Sequence, residues 1–289
     1  MYNLKDDHNP KTIEIWEGDY DIYEEYKELY DDGLLDIYDG DNPAMDYFDY
    51  CVWVPKNTHI VGKGIVRLKW MPDPSTDDIT AVQCRCISPL NVAATATIEN
   101  VEVYCKNGRY CLHNDGLGKI EFTGATQLYK NVRFYKYAND VDENNVPYGF
   151  SQTTGFGIDR SMHHVYENCL FFNEAGGRAF YGHSRNSVGG ILLTEARNSD
   201  ITLVNCVCVT NGSICVKFGN SSNSALHIRT MLNNCYFSGL ITAIDESGTS
   251  SYPNAFDMSL LNCGDVTMHI GYAQNQYLPK AYNTNLQLT

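Results

Sequence analysis

Hydrophobic and polar positions alternate along this chain in short β-prone runs, split by Gly, Asn and Ser. No long stretch holds a 3.6-residue period between them, which excludes helical solenoids, and the Leu spacing of leucine-rich repeats is absent. One pattern recurs. Asn followed by Cys or Val precedes or opens a strand-like run at Asn100-Val101, Asn131-Val132, Asn168-Cys169, Asn205-Cys206, Asn234-Cys235 and Asn262-Cys263, at intervals of 31, 37, 37, 29 and 28 residues. The surrounding text is similar, as in Tyr129-Lys-Asn-Val-Arg-Phe, Tyr166-Glu-Asn-Cys-Leu-Phe and Leu232-Asn-Asn-Cys-Tyr-Phe. A parallel β-helix has this period, each coil giving two or three short strands stacked ~4.8 Å from the next. The spacing predicts an Asn ladder at a turn, each amide bonding the next coil or the local backbone. The following Cys or Val then points into the core.

The head of the chain fits the same unit. Thr12–Ile22 alternates and carries the Glu17-Gly18 turn, and Val52–Leu68 gives two more strands around Pro55-Lys56-Asn57, with a Gly62-Lys63-Gly64 turn. This succession resembles the opening coils of pectate-lyase-like right-handed β-helix proteins. With the Asn repeat, the resemblance covers most of residues 12–272. It implies an all-β chain, a right-handed single-stranded parallel β-helix in one domain over 1–289. Residues 23–50 read as an acidic, Tyr-rich insertion with a short helix at Tyr23–Tyr30, and 273–289 as a C-terminal tail.

Charge sharpens the picture. The net charge of −14 is almost all in residues 1–50, with 16 acidic and 3 basic side chains, whereas 51–289 hold 19 and 18. Such a segment repels polyanions and argues against nucleic-acid binding. No apolar run approaches the ~20 residues of a membrane span, and no secretory signal is visible at the N-terminus. The 11 cysteines are odd in number, lack any CxxC pair and mostly sit in apolar runs. They read as buried thiols of a chain folded in a reducing cytosol, not as a disulfide framework or zinc site. No cofactor or metal is expected. Reduced thiols and the missing signal bring the resemblance nearest to bacteriophage tail-associated β-helix proteins such as tailspikes. This implies a homotrimer on a virion tail, folded in the host cytoplasm, contacting host-surface polysaccharide and other tail proteins. A secreted bacterial protein is the alternative location.

Candidate chemistry is thinner. Gly182-His183-Ser184 lies 34 residues before Lys217, a partial echo of polygalacturonases, but Asn173-Glu174-Ala175-Gly176 stands where their paired aspartates would be. Alone, His183 reads as a turn residue. A second strand-like run follows each Asn strand, and stacking is expected to bring His113, Asp159, His183, Lys217 and Asp245 near one outward stripe. Polar stripes of this kind bind oligosaccharides in the resembled family. Carboxylate pairs that cleave glycosidic bonds stand ~5–9.5 Å apart. Asp159 and Glu174, on adjacent coils, are the candidate catalytic pair, with Arg160 or Arg178 orienting the sugar. Phe156, Tyr181, Tyr236 and Tyr252 are candidate stacking platforms. The loops Tyr137–Phe156 and Asp245–Ala255 break the period and are candidate groove walls. Adjacent His163 and His164 face opposite ways in a strand, which argues against joint metal ligation. Gly62-Lys63-Gly64 lacks the ending of a phosphate loop. Three readings stand: a tail-associated receptor-binding protein, with glycan cleavage left open; a polysaccharide lyase or glycoside hydrolase outside a phage context; and a structural tail component without a ligand.

Overall fold

A computed structural model describes residues 9–31, 52–73, 90–92, 95–108, 110–115, 125–138, 140, 152–158, 163–184, 187–188, 191–192, 198–220, 227–245, 256–271 and 278–289. Among the described residues the chain is all-β apart from one helix, Ile22–Asp31. That helix starts where Asp21 stops the first strand. The Asp21 carboxylate accepts hydrogen bonds from the amides of Tyr23, at 3.0 Å, and Glu24, at 3.2 Å, which satisfies two first-turn donors. Its buried Ile22 and Tyr23 then pack inward, Tyr23 edge-on to Trp70 at 5.4 Å.

Most strands pair in parallel with the strand one repeat on rather than with their sequence neighbour; Phe256–Gly271 pairs with both of its sequence neighbours, also in parallel. Three ladders result. The first runs through Lys11–Asp21, Thr58–Trp70, Ala96–Glu99, Thr126–Lys130, His163–Glu167, Asn198–Val204, His227–Asn233, Phe256–Gly271 and Lys280–Leu288. The second continues from the end of Thr58–Trp70 through Glu102–Cys105, Arg133–Lys136, Leu170–Asn173, Val207–Thr210 and Tyr236–Phe237. The third joins Val52–Trp53, Leu90–Asn91, Tyr110–Asp115, Gln152–Ile158, Phe180–Ser184, Ile214–Asn220, Leu240–Asp245 and Phe256–Gly271. One small antiparallel pair, Ser187–Val188 with Ile191–Leu192, lies outside the ladders.

The repeated Asn explains the corner between the first and second ladders. Asn100, Asn131, Asn168, Asn205, Asn234 and Asn262 all take left-handed backbone angles, φ 52 to 58°. Asn tolerates this region better than other residues with a side chain. The amide Nδ2 of Asn131 donates to Asn100 Oδ1 at 3.0 Å, Asn168 to Asn131 at 3.2 Å, Asn205 to Asn168 at 3.1 Å and Asn234 to Asn205 at 2.8 Å. In the coil before Asn100 the chain needs Gly62, because a Cβ there would stand 2.0 Å from the Asn100 carbonyl oxygen.

The residue after each Asn is buried, as Val101, Val132, Cys169, Cys206, Cys235 and Cys263. Small size lets these columns stack under the corner. The thiols also donate to carbonyls: Cys206 Sγ lies 3.4 Å from both Tyr166 O and Val204 O. Deeper in, Tyr129 stacks on Tyr166 with centroids 4.7 Å apart, and Phe134 on Phe171 at 5.3 Å. Such pairs add ~0.5–1.5 kcal/mol beyond their burial. The segment read as a C-terminal tail contains the strand Lys280–Leu288. It joins the first ladder, and Asn283 extends the Asn column by donating to Asn262 Oδ1 at 2.8 Å.

Candidate functional site

His113, His183, Lys217 and Asp245, four of the positions that sequence spacing singled out, lie on strands of the third ladder. Its register places Asn91, His113, Gly155, Tyr181, Lys217, Thr242 and His269 in one row. Phe180 and Val216, one residue before Tyr181 and Lys217, are fully buried. Strand alternation therefore turns the half-exposed Tyr181 and Lys217 away from the core.

A turn brings a second cation to the same ring. Buried Asn173 ends the Leu170–Asn173 strand, accepts from the Ala175 amide at 2.9 Å and donates to the Arg178 carbonyl at 3.0 Å. This shapes residues 174–178. The next turn stacks tightly on it, since a Cβ on Gly212 would lie 2.1 Å from the Gly176 carbonyl oxygen. Arg178 Cζ then sits 5.9 Å from the Tyr181 ring centroid and Lys217 Nζ 5.3 Å from it. Both distances fall within cation–π range of ~6 Å.

The remaining candidates are placed differently. His183 pairs with Gly157 and Gly219, two positions beyond Tyr181 along the strand. Asp245 pairs with Asn220, the partner of Ser184, so it takes the opposite parity from Tyr181 and His183. Phe156 pairs with Gly182 and shares that opposite parity. Glu174 is exposed at the turn after Leu170–Asn173, its amide bonded to Lys136 O at 2.9 Å. Asp159, Arg160 and Tyr252 lie outside the described residues. Tyr236 is exposed on the second ladder, away from the Tyr181 row. His163 and His164 part as alternation requires. His163 Nδ1 meets Asp200 at 2.8 Å, while His164 is buried and burial depresses its pKa to about 3.

Compared with family models, with curated proteins and with solved structures, the chain finds no match. The site is therefore read from its own geometry.

Two features were missed by the sequence reading. Tyr104, Tyr135 and Phe172 form an outward aromatic column on the second ladder, with Tyr104 stacked on Tyr135 at 4.7 Å. The Tyr104 hydroxyl donates to Glu102 at 2.8 Å, and burial together with that carboxylate raises its pKa. The signal was present: an aromatic stands four residues after Asn100, Asn131 and Asn168. The second feature is a charged cluster in the opening coils. Asp19 meets Lys69 at 2.6 Å and Arg67 at 3.2 Å, and those hydrogen bonds hold its carboxyl below the usual range.

Chemically, the Tyr181 row combines an aromatic surface with N–H donors. That set suits sugar C–H faces, hydroxyls and carboxylates.

Proposed function

We propose that the three parallel ladders wind into a right-handed, single-stranded parallel β-helix, and that its third-ladder face holds host-surface carbohydrate. The observation that carries the binding reading is the Tyr181 ring with Arg178 and Lys217 within 6 Å of its centroid, in register with His113. Tyr181 and Lys217 stand on adjacent coils and suit two successive sugars of a ligand laid along the stack, while Thr242, next in the row, is buried. The helical reading is supported by the pairing of each strand with one a repeat away and by the Asn column at one corner.

The setting we propose is a bacteriophage tail, where the chain serves as a receptor-binding part. The resemblance of the opening coils supports it. So do the eight described cysteines, all buried free thiols, which suit folding in a reducing cytosol. Binding is the primary activity in this reading and needs no paired carboxylates.

The test is incubation of the purified chain with a panel of bacterial surface polysaccharides, reading retention and newly formed chain ends. Retention that Tyr181→Ala weakens about tenfold is the expected result, the scale of one lost aromatic contact. New chain ends that disappear in Glu174→Gln would replace binding with depolymerisation. No retention across the panel would overturn the carbohydrate reading.

A further inference from the structure

Four consecutive coils place a thiol at the same corner position. These are Cys169, Cys206, Cys235 and Cys263, all buried. Backbone bonds tie them coil to coil: the Val207 amide donates to Cys169 O at 2.9 Å and the Tyr236 amide to Cys206 O at 3.0 Å. Every thiol also makes the same two contacts. Its Sγ lies 3.3 to 3.6 Å from the carbonyl two residues before it and from a carbonyl of the preceding coil, that of Tyr129, Tyr166, Leu203 and Leu232 in turn. Repeated contacts mean one shared side-chain conformation, so the sulfurs recur at the strand spacing of ~4.8 Å. Adjacent hydrogen-bonded strands leave no side chain between one thiol and the next. The thiols hydrogen-bond one another, Cys206 with Cys169 and Cys235, and Cys235 with Cys263.

That spacing decides the chemistry. A disulfide holds its Cβ atoms ~3.8 Å apart, closer than neighbours in a parallel ladder stand. Structural zinc takes four ligands in a tetrahedron, and among the described residues no three metal-ligating groups converge. A cation held in line by two thiolates needs neither arrangement. Two opposed bonds of ~2.3 Å, the length of a Zn–S bond, span ~4.6 Å and so match the column. Soft thiolates select thiophilic cations. We infer that neighbouring thiols of this column take a thiophilic d10 cation, such as Hg(II), Ag(I) or Cu(I), in line between them. Each capture forms two metal–sulfur bonds and breaks two S–H bonds, and the two protons leave to solvent. With a divalent cation the buried S–Hg–S unit is neutral, so no uncompensated charge is left in the core. Each thiolate serves one Hg(II), so the four thiols hold two, at Cys169–Cys206 and at Cys235–Cys263.

The chain supplies its own control. After Asn100 and Asn131 the same inward position is Val101 and Val132, both buried, so valine fits this corner without a thiol. Two double variants then remove equal numbers of thiols in different arrangements. Cys169→Val with Cys206→Val leaves Cys235 and Cys263 on adjacent coils. Cys169→Val with Cys235→Val leaves Cys206 and Cys263 two coils apart, ~9.6 Å, which one cation does not bridge.

Two measurements test this. In the first, iodoacetamide blocks the accessible thiols, the protein is equilibrated with mercuric chloride, and native mass spectrometry counts the bound Hg(II). The remaining cysteines are the same in every protein and cancel in the comparison. Relative to the fourfold Cys→Val protein, wild type should hold two more Hg(II), the adjacent-coil variant one more and the alternate-coil variant none. Zinc chloride in place of mercury should bind all four proteins equally. The second measurement uses wild type alone, whose X-ray absorption should show mercury with two sulfur neighbours at ~2.3 Å and an unchanged circular dichroism spectrum on loading. Equal Hg(II) in the two double variants, no loss in the fourfold variant, zinc lost along with the thiols, mercury with three or four sulfur neighbours, or loss of the β spectrum on loading would each overturn the inference.

Discussion

Replacing Asn168 tests the corner on which the stack is built. Its backbone φ is 55°, its Nδ2 donates to Asn131 at 3.2 Å, and its Oδ1 accepts from Asn205 at 3.1 Å. Asn168→Ala removes both side-chain bonds and puts in the left-handed region a residue that tolerates it less well than Asn. Each exposed bond contributes ~0.5 kcal/mol and the backbone strain ~1–2 kcal/mol, so the expected cost is about 2–3 kcal/mol. Asn168→Gly loses the same two bonds without the strain, but adds ~0.4–1 kcal/mol of unfolded-state entropy. Its cost should be about 1–2 kcal/mol. The backbone amide bond to Val204 O, at 2.9 Å, is kept in both. Urea unfolding followed by circular dichroism reads the difference, provided the denaturant slope is unchanged. If alanine were no more destabilising than glycine, left-handed geometry would not be what selects Asn at this corner.

Three further outcomes are expected. His164 has its pKa depressed to about 3 by burial, so the unfolded chain binds a proton that the native state refuses. Stability should therefore fall as pH drops from ~6.5 towards 3, by about 1.4 kcal/mol per unit, and His164→Leu should remove one proton's worth of that slope. Equal slopes in both proteins would show that His164 does not titrate as its burial demands. The neighbouring Cys169 thiol and burial push Cys206 up to about 12, and the Cys206 thiol and burial do the same for Cys235. Iodoacetamide at pH 8 should leave both unlabelled in the native protein and label both after unfolding, as read by peptide mass spectrometry. Labelling at the rate of an exposed thiol would contradict the stacked column. Finally, Lys136 is fully buried with Nζ donating to Tyr137 O at 2.7 Å, and Lys136→Ala should cost about 2–4 kcal/mol through the cavity and the orphaned carbonyl, measured by thermal or urea unfolding.

The corner was legible in the sequence because two demands coincide there. A left-handed backbone calls for Asn, and a crowded column under it calls for Cys or Val, so the pair repeats visibly. The helix was legible from the acidic start after Asp21. The last strand was not. Asn283 follows Asn262 by only 21 residues, and Thr284 replaces the small hydrophobe, its Oγ1 accepting the Cys263 amide at 3.1 Å. Register in the third ladder was not legible either. Turns of unequal length and the irregularity between Ile214 and Val216 set it. Tyr181 and Arg178 come together through the buried Asn173 turn, a hydrogen-bonded detail that residue spacing does not encode.

The most direct measurement of the central claim is polysaccharide retention by wild type, Tyr181→Ala, Lys217→Ala and the first-ladder variant Tyr282→Lys, side by side. The account predicts that at least one bacterial surface polysaccharide is retained, that Tyr181→Ala and Lys217→Ala weaken retention about tenfold, and that Tyr282→Lys leaves it unchanged. Equal retention by all four proteins would place the ligand elsewhere, and no retention by any would contradict carbohydrate binding on this face.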